Sequence, residues 1–310
     1  MITAISLNPC IDRTVKIPSF QYGGMNRICD VRMEASGKGV NVALGCAALG
    51  VEKVACIGFN CQGNGKIVCD RLKDAGVRME FVYQGGDVRI NTKVLDLSKN
   101  VVTELNEAGR APSAEEMAQM EALVLRYAPK SSQMVFTGSL PPSCDPATYR
   151  DLIRQASAMG VLCILDAEGE KLRLGVQAQP YLIKPNRYEL ELAVGEQLKT
   201  LADVKRAALS YIDQGVRIVA VSMGGDGALI TDGSHTYFAP PIPVELGSTV
   251  GAGDSMVSGF CAAIDEGLDT LGLFRYGVAS ATAAVMAEGT QLVTRQGMDP
   301  LLARVAVQEV

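Results

Sequence analysis

"QMVFTGSLPPSCDPATYRDLIRQASAMGVLCILDA", residues 133–167, decides the fold class. The run "QMVFTGSL" is short, apolar and closed by a glycine, as a buried strand is. "PATYRDLIRQASAMG" opens on a proline, keeps a helical pattern and stops at a glycine. "VLCILDA" is a second apolar run, so the stretch reads strand, helix, strand. A crossover helix of this kind joins parallel strands.

The same rhythm extends in both directions. "ITAISLN", "KVACIGF", "PYLIKPN" and "RIVAVSM" are further strand candidates bounded by glycine, proline or polar residues. "SAEEMAQMEALVLRYA" opens with Ser113 and Glu116 at capping-box spacing. The chain is therefore expected to be an α/β protein, a single domain over 1–310 built on a mostly parallel sheet covered by helices on both faces. Two regions interrupt the pattern, approximately 12–37 and 88–109, and both read as strands joined by turns. Together they predict a small separate sheet that cannot bury both its faces alone. It should fold over the large domain as a lid or clasp a second copy as a homodimer.

Composition narrows the classes of function. Of 310 residues, 48% are hydrophobic and 20% charged, enough for a large core, and no apolar run is long enough to span a bilayer. With no basic leader, the chain reads as cytoplasmic. A net charge of −5 offers no basic field for nucleic acid. Nine cysteines without a C-x-x-C pair suggest neither disulfides nor a zinc site, and are read as mostly small buried residues. The single histidine, His235, reads as a surface residue of a hairpin.

Four stretches carry chemistry. In "STVGAGDSMVSGF" (248–260), Gly251, Ala252 and Gly253 precede Asp254 at the start of a helical pattern. A dinucleotide fingerprint fails there because its third glycine position is Met256. A P-loop fails at Gly37-Lys38, where Gly39 follows and Arg32 holds the first glycine's place. Glycines entering a helix still free its first N–H groups to face an anion. Asp254 then reads either as a general base beside a phosphoryl group or as a plain helix-capping aspartate. In "EASGKGVNVALGCAALG" (34–50), Gly37, Lys38 and Asn41 open an Ala-rich helix, as a ligand-binding turn or a tight turn with a solvated lysine. Asn8 and Asp12 follow the first strand, where ligands of α/β sheets collect. In "VRINTK" (88–93), Arg89, Asn91 and Lys93 share one strand face, suiting a phosphate or simply a solvated surface.

"SGKGVNVA" and "STVGAGDSMVSGF", at this separation, resemble the paired signatures of the PfkB (ribokinase-like) carbohydrate kinases, and the resemblance runs along essentially the whole chain. It is nearest the sugar-phosphate branch. Ser248 stands where ribokinase-type members usually carry Asp, and "VRINTK" resembles the segment with which 1-phosphofructokinases and tagatose-6-phosphate kinases hold the substrate phosphate.

The resemblance implies a ribokinase-like fold with a β-sheet lid, and transfer from ATP with Mg2+ to a sugar phosphate. Asp254 would be the base and Gly251, Ala252 and Gly253 the anion hole. Asp12, Gly37, Lys38 and Asn41 match sugar-contacting positions, with Arg89 and Lys93 the clamp for the substrate phosphate; Asn8 and Asn91 join the substrate side from their places on the strands. Lys184 and Asn186, with Ser222, Gly224 and Gly227 of "SMGGDGAL", match the nucleotide site. Asn186 and Glu189 of "KPNRYEL" would organise magnesium through water. Ser36 departs from the Gly or Ala of many relatives. An unphosphorylated-sugar kinase and a non-catalytic sensor are the competing readings.

Overall fold

The computed structural model describes residues 1–287 and 292–310. Its strands are β1 Ile2–Ser6, β2 Cys10–Ile17, β3 Asp30–Ser36, β4 Val54–Cys61, β5 Arg78–Gln84, β6 Arg89–Asp96, β7 Val101–Asn106, β8 Gln133–Thr137, β9 Leu162–Asp166, β10 Leu182–Ile183, β11 Ile218–Ser222, β12 Ala228–Thr231, β13 Thr236–Ala239 and β14 Gln308–Glu309. Its α-helices are α1 Lys38–Ala48, α2 Lys66–Asp74, α3 Ala114–Tyr127, α4 Thr148–Ser157, α5 Gly169–Gly175, α6 Arg187–Val194, α7 Leu201–Asp213, α8 Ala252–Asp265, α9 Thr270–Val285 and α10 Arg295–Leu302.

The large sheet has the order β14-β13-β12-β11-β10-β9-β8-β1-β4-β5. From β5 through β11 the pairs are parallel, and β12, β13 and β14 extend the edge antiparallel. Strands buried on both faces are mostly apolar, and in β1 and β8 the polar residues Thr3, Ser6, Gln133 and Thr137 are buried beside the apolar ones. Along β1, Ile2 and Ala4 face one core layer with α1, α8, α9 and α10, while Ile5 faces the other, with α3, α4 and α7. From β1 the chain steps outward to β4 and β5, then returns to β8 and steps the other way. The loops after β1 and β8 therefore diverge, leaving a crevice at the carboxyl ends of the strands.

Two helix starts are instructive. Ser113 and Glu116 form the expected capping box of α3. The helix read from Pro146 begins at Thr148 instead, because the Asp145 carboxylate accepts from the Ala147 N–H at 2.8 Å and holds a turn there. The hairpin of β12 and β13 carries His235, which pairs with Glu309 on β14 at 2.7 Å. The nine cysteines are free thiols, and only Cys29 is exposed.

The second sheet, ordered β3-β2-β6-β7, comes from the two regions that lack a helical period. Its registers set Glu34, Asp12, Asn91 and Asn106 in one row. The next row on the same face is Arg32, Thr14, Lys93 and Glu104. The opposite face carries Met33, Val31, Val101 and Leu105, which are 47–60% exposed, around buried Val15, Ile17 and Val94. Among the described residues no helix is long and apolar enough to cross a membrane.

Candidate active site

The packing of α1 on α8 sets the centre of the site. Both helices are rich in small residues, and a methyl group on Gly45 would stand 2.3 Å from Ser258 Oγ, so the backbones approach closely. One turn earlier on each helix, Asn41 Nδ2 donates to Asp254 Oδ2 at 2.7 Å. Asp254 is 6% exposed. Burial pushes its carboxyl above the usual range; Lys38 acts to lower it, Asp166 to raise it, and the Asn41 bond lowers it again.

The N-termini of α1 and α8 open on glycines, Gly37 and Gly251, and neither has a side-chain cap. By contrast Ser113, Asn186, Thr200, Asp269 and Thr294 cap their helices. At Gly251 the backbone is left-handed, with φ +81°, a conformation glycine adopts without strain. No side chain caps the first N–H groups of α8, and beyond Ala252, whose N–H donates to Thr249 O at 3.4 Å, they are available to an anion with the helix dipole behind them.

Beneath these helices lies a second, fully buried carboxylate. Asp166, the last residue of β9, forms ion pairs with Lys38 at 2.9 Å and Lys184 at 3.1 Å, and accepts from Thr137 Oγ1 at 2.9 Å. Burial disfavours its charge, but the ammonium groups of Lys184 and Lys38 outweigh that and hold the carboxyl well below the usual range. The same charge of Asp166 is the largest cause raising Lys38. Lys184 also reaches toward α8, where a methyl group on Gly253 would stand 3.6 Å from its Nζ.

The first cavity, of about 250 Å³, lies at the crevice after β1 and β8, under the polar face of the small sheet. It brings together Asn8, Lys38, Arg89 and Asn91. Arg89 is anchored by donating to Asn8 O at 3.1 Å, Glu107 O at 3.2 Å and Ser139 Oγ at 3.4 Å. Lys93, expected on the substrate-phosphate side, has its ammonium held at 2.8 Å by the Asp12 carboxylate of the neighbouring strand, and Lys93 and Asp12 are 8% and 6% exposed.

The second cavity, of about 410 Å³, is bounded by Asn186, Ser222, Gly224 and Gly227 and by Ala252 and Gly253. Ile242, Val244, Leu246, Val278 and Val285 make its walls largely apolar. Asn186 and Ser222 are held side by side by a parallel bridge between their backbones. Asn186 and Glu189 form a reciprocal capping box on α6, at 2.8 and 2.9 Å. Glu189 Oε2 is committed to that box, but its side chain also lines the first cavity, and burial raises its carboxyl.

A pocket for polar ligands thus adjoins a flat apolar one at an uncapped helix start, with a buried carboxylate in its first turn. The family model for pfkB family carbohydrate kinases matches residues 3–296. The chain belongs to the PfkB family. It is 30% identical over 306 residues to a 1-phosphofructokinase of Vibrio cholerae, covering 99% of this chain and 96% of the relative. It is 35% identical over 296 residues to one of Haloferax volcanii, covering 94% and 93%. The structure of phosphofructokinase-2 from Escherichia coli in complex with substrates and products superimposes with a TM-score of 0.91 at 30% identity, covering 98% of this chain and 99% of that one.

Sequence reasoning for this PfkB kinase missed Asp166, Thr137 and Ser139. A signal for them existed, since all three end or follow apolar strands at the sheet edge where ligands gather.

Proposed function

We propose that the chain is an ATP-dependent sugar-phosphate kinase that converts fructose 1-phosphate to fructose 1,6-bisphosphate by direct in-line transfer. The observation that carries this reading is the position of Asp254: buried, oriented by Asn41, and set in the first turn of an uncapped helix whose Ala252 and Gly253 line the apolar cavity, with Lys38 of the polar cavity acting on its charge. A carboxylate whose pKa is raised toward neutrality is a better proton acceptor than an ordinary aspartate. A loose phosphoryl-transfer transition state asks little more of a base, provided the charge on the phosphoryl oxygens is held. The first N–H groups of α8 and Lys184 would hold it.

Arg89, with Ser139 and Asn8 around it, would receive the phosphate already on the sugar. Asn91 offers further support: its Oδ1 is buried without a partner among the described residues, as suits an acceptor awaiting a hydroxyl. The apolar second cavity would take a nucleotide base, with Gly224, where a methyl group would meet nothing within 4 Å, leaving the backbone open to it and Gly227 lining the same cavity. Glu189 and Asn186 would hold magnesium through water, and the ion would neutralise triphosphate charge. Both substrates are anionic and do not cross a bilayer unaided, which goes with a cytoplasmic reaction. The names of the relatives favour fructose 1-phosphate over tagatose 6-phosphate.

The exposed apolar face of the small sheet would meet a second copy of the chain. Support comes from Met33 and Val31 at one edge of that face and Val101 and Leu105 at the other, all exposed to solvent. A relative, phosphofructokinase-2 from Escherichia coli, has been described in a tetrameric inhibited form.

The test is ADP release from Mg-ATP with fructose 1-phosphate, tagatose 6-phosphate, fructose 6-phosphate, fructose and ribose in parallel. The expected result is a kcat/KM for fructose 1-phosphate well above the rest. Turnover of neutral sugars alone would overturn the reading of Arg89, and no turnover of any would favour a sensor.

A further inference from the structure

The two ends of the Asn91 amide meet different surroundings. Its Nδ2 donates to Cys10 Sγ at 3.2 Å and to Asp12 Oδ1 at 3.4 Å. Its Oδ1 is buried and accepts from nothing among the described residues, although the side chain lines the first cavity. Donor chemistry fixes this orientation. An ionised carboxylate only accepts, so the NH2 must turn to Asp12 and the carbonyl away from it.

Asp12 is itself held in place. Cys10 Sγ lies 3.6 Å from its Oδ1, and Lys93 Nζ lies 2.8 Å from its Oδ2. Burial pushes the Cys10 thiol up to about 12, which keeps it protonated and a donor. In the parallel register of β2 and β6, Asp12 sits opposite Asn91 and Thr14 opposite Lys93, so the ammonium reaches Asp12 diagonally across one step of the sheet. A buried carboxylate without such a partner would be costly as an anion, and as a neutral acid it would no longer dictate which way the amide turns.

We infer that Lys93 is a positioning residue: paired with Asp12, it holds the Asn91 amide so that Oδ1 faces the cavity as an acceptor for a sugar hydroxyl. This rests on the sugar-phosphate kinase reading and changes one role within it. Lys93 acts on the hydroxyl side of substrate recognition and never meets the phosphate. Arg89 is the cation of the lid strand that lines the cavity.

Steady-state kinetics with fructose 1-phosphate and Mg-ATP test this in Lys93→Met, Lys93→Gln, Asn91→Ala and the doubles with Asn91→Ala. Lys93→Met is expected to raise KM for the sugar phosphate about tenfold, with KM for ATP unchanged. Lys93→Gln, whose amide still donates to Asp12, should raise it less. In the Asn91→Ala background, Lys93→Met should add less than about twofold. Equal losses for Met and Gln, or losses that multiply with Asn91→Ala, would overturn the inference, since a cation on the phosphate behaves that way. If the Met variant does not fold, Lys93→Gln completes the same cycle. Failure of the unaltered chain to use fructose 1-phosphate would count against the proposed substrate instead, and the cycle is then read with the sugar that is used.

Discussion

Asn41 Nδ2 donates to Asp254 Oδ2 at 2.7 Å, joining α1 to α8 across 213 positions of the chain. The bond stabilises the ionised carboxylate and aims it. Replacing Asn41 with alanine should lower kcat by about 10²-fold while leaving KM for ATP within about twofold. A stopped assay for ADP at saturating substrate checks this, and near-normal turnover would show that Asp254 is held by other means.

The pH profile should carry the signature of Lys38. Burial raises the Asp254 carboxyl and the Lys38 charge opposes the rise. A base must be ionised, so kcat/KM should fall as pH drops through that raised value. Lys38→Met removes the opposing charge and should move the acid limb to higher pH. An acid limb that stays in place would separate it from Asp254.

Asp166 is a structural as well as a chemical centre. Asp166→Asn keeps the shape but leaves Lys38 and Lys184 without their shared counter-ion, at an expected cost of about 3 kcal/mol. Because the folded carboxyl titrates below the usual range, its pairs contribute above about pH 4 and are lost only as pH falls through the depressed value. Urea unfolding at about pH 6 and about pH 8 should therefore give the same gap between the two proteins.

Gly227 couples stability to the nucleotide side. Its backbone has φ +93°, and a methyl group there would stand 2.1 Å from the Ala239 carbonyl oxygen. Gly227→Ala should destabilise the chain by about 2 kcal/mol or more and raise KM for ATP more than KM for the sugar phosphate. Thermal melting together with the two KM values decides it.

If the lid face binds a second copy, Leu105→Glu should shift the sedimentation coefficient from that of an oligomer to that of a monomer. A monomer before the substitution would remove the proposed interface.

The large sheet was legible because strands buried on both faces are mostly apolar, as in "ITAIS" and "QMVFT". The small sheet was legible from the lack of a helical period. The partner of Lys93 was not, for period-two reasoning gives the face of a strand but never the neighbour across it, and β2 and β6 come from regions far apart in sequence. Asp166 was missed because a carboxylate ending an apolar run has the same local pattern as a turn or cap residue. The N-x-x-E spacing of Asn186 and Glu189 serves a capping box and a ligand site equally well. At two residues, β14 carries no pattern at all.

The separation of Asn41 from Asp254 also bears on synthesis. During translation the lid and the first cavity's walls at Asn8, Lys38 and Arg89 emerge long before α8 does. Until that helix docks, the chain has neither the proposed base nor the uncapped helix start, so a ribosome-bound fragment lacks both parts of the proposed transfer site. Contacts this distant also close slowly. With only α9 and α10 following it in the chain, α8 arrives late, and the proposed transfer site is complete only once it docks.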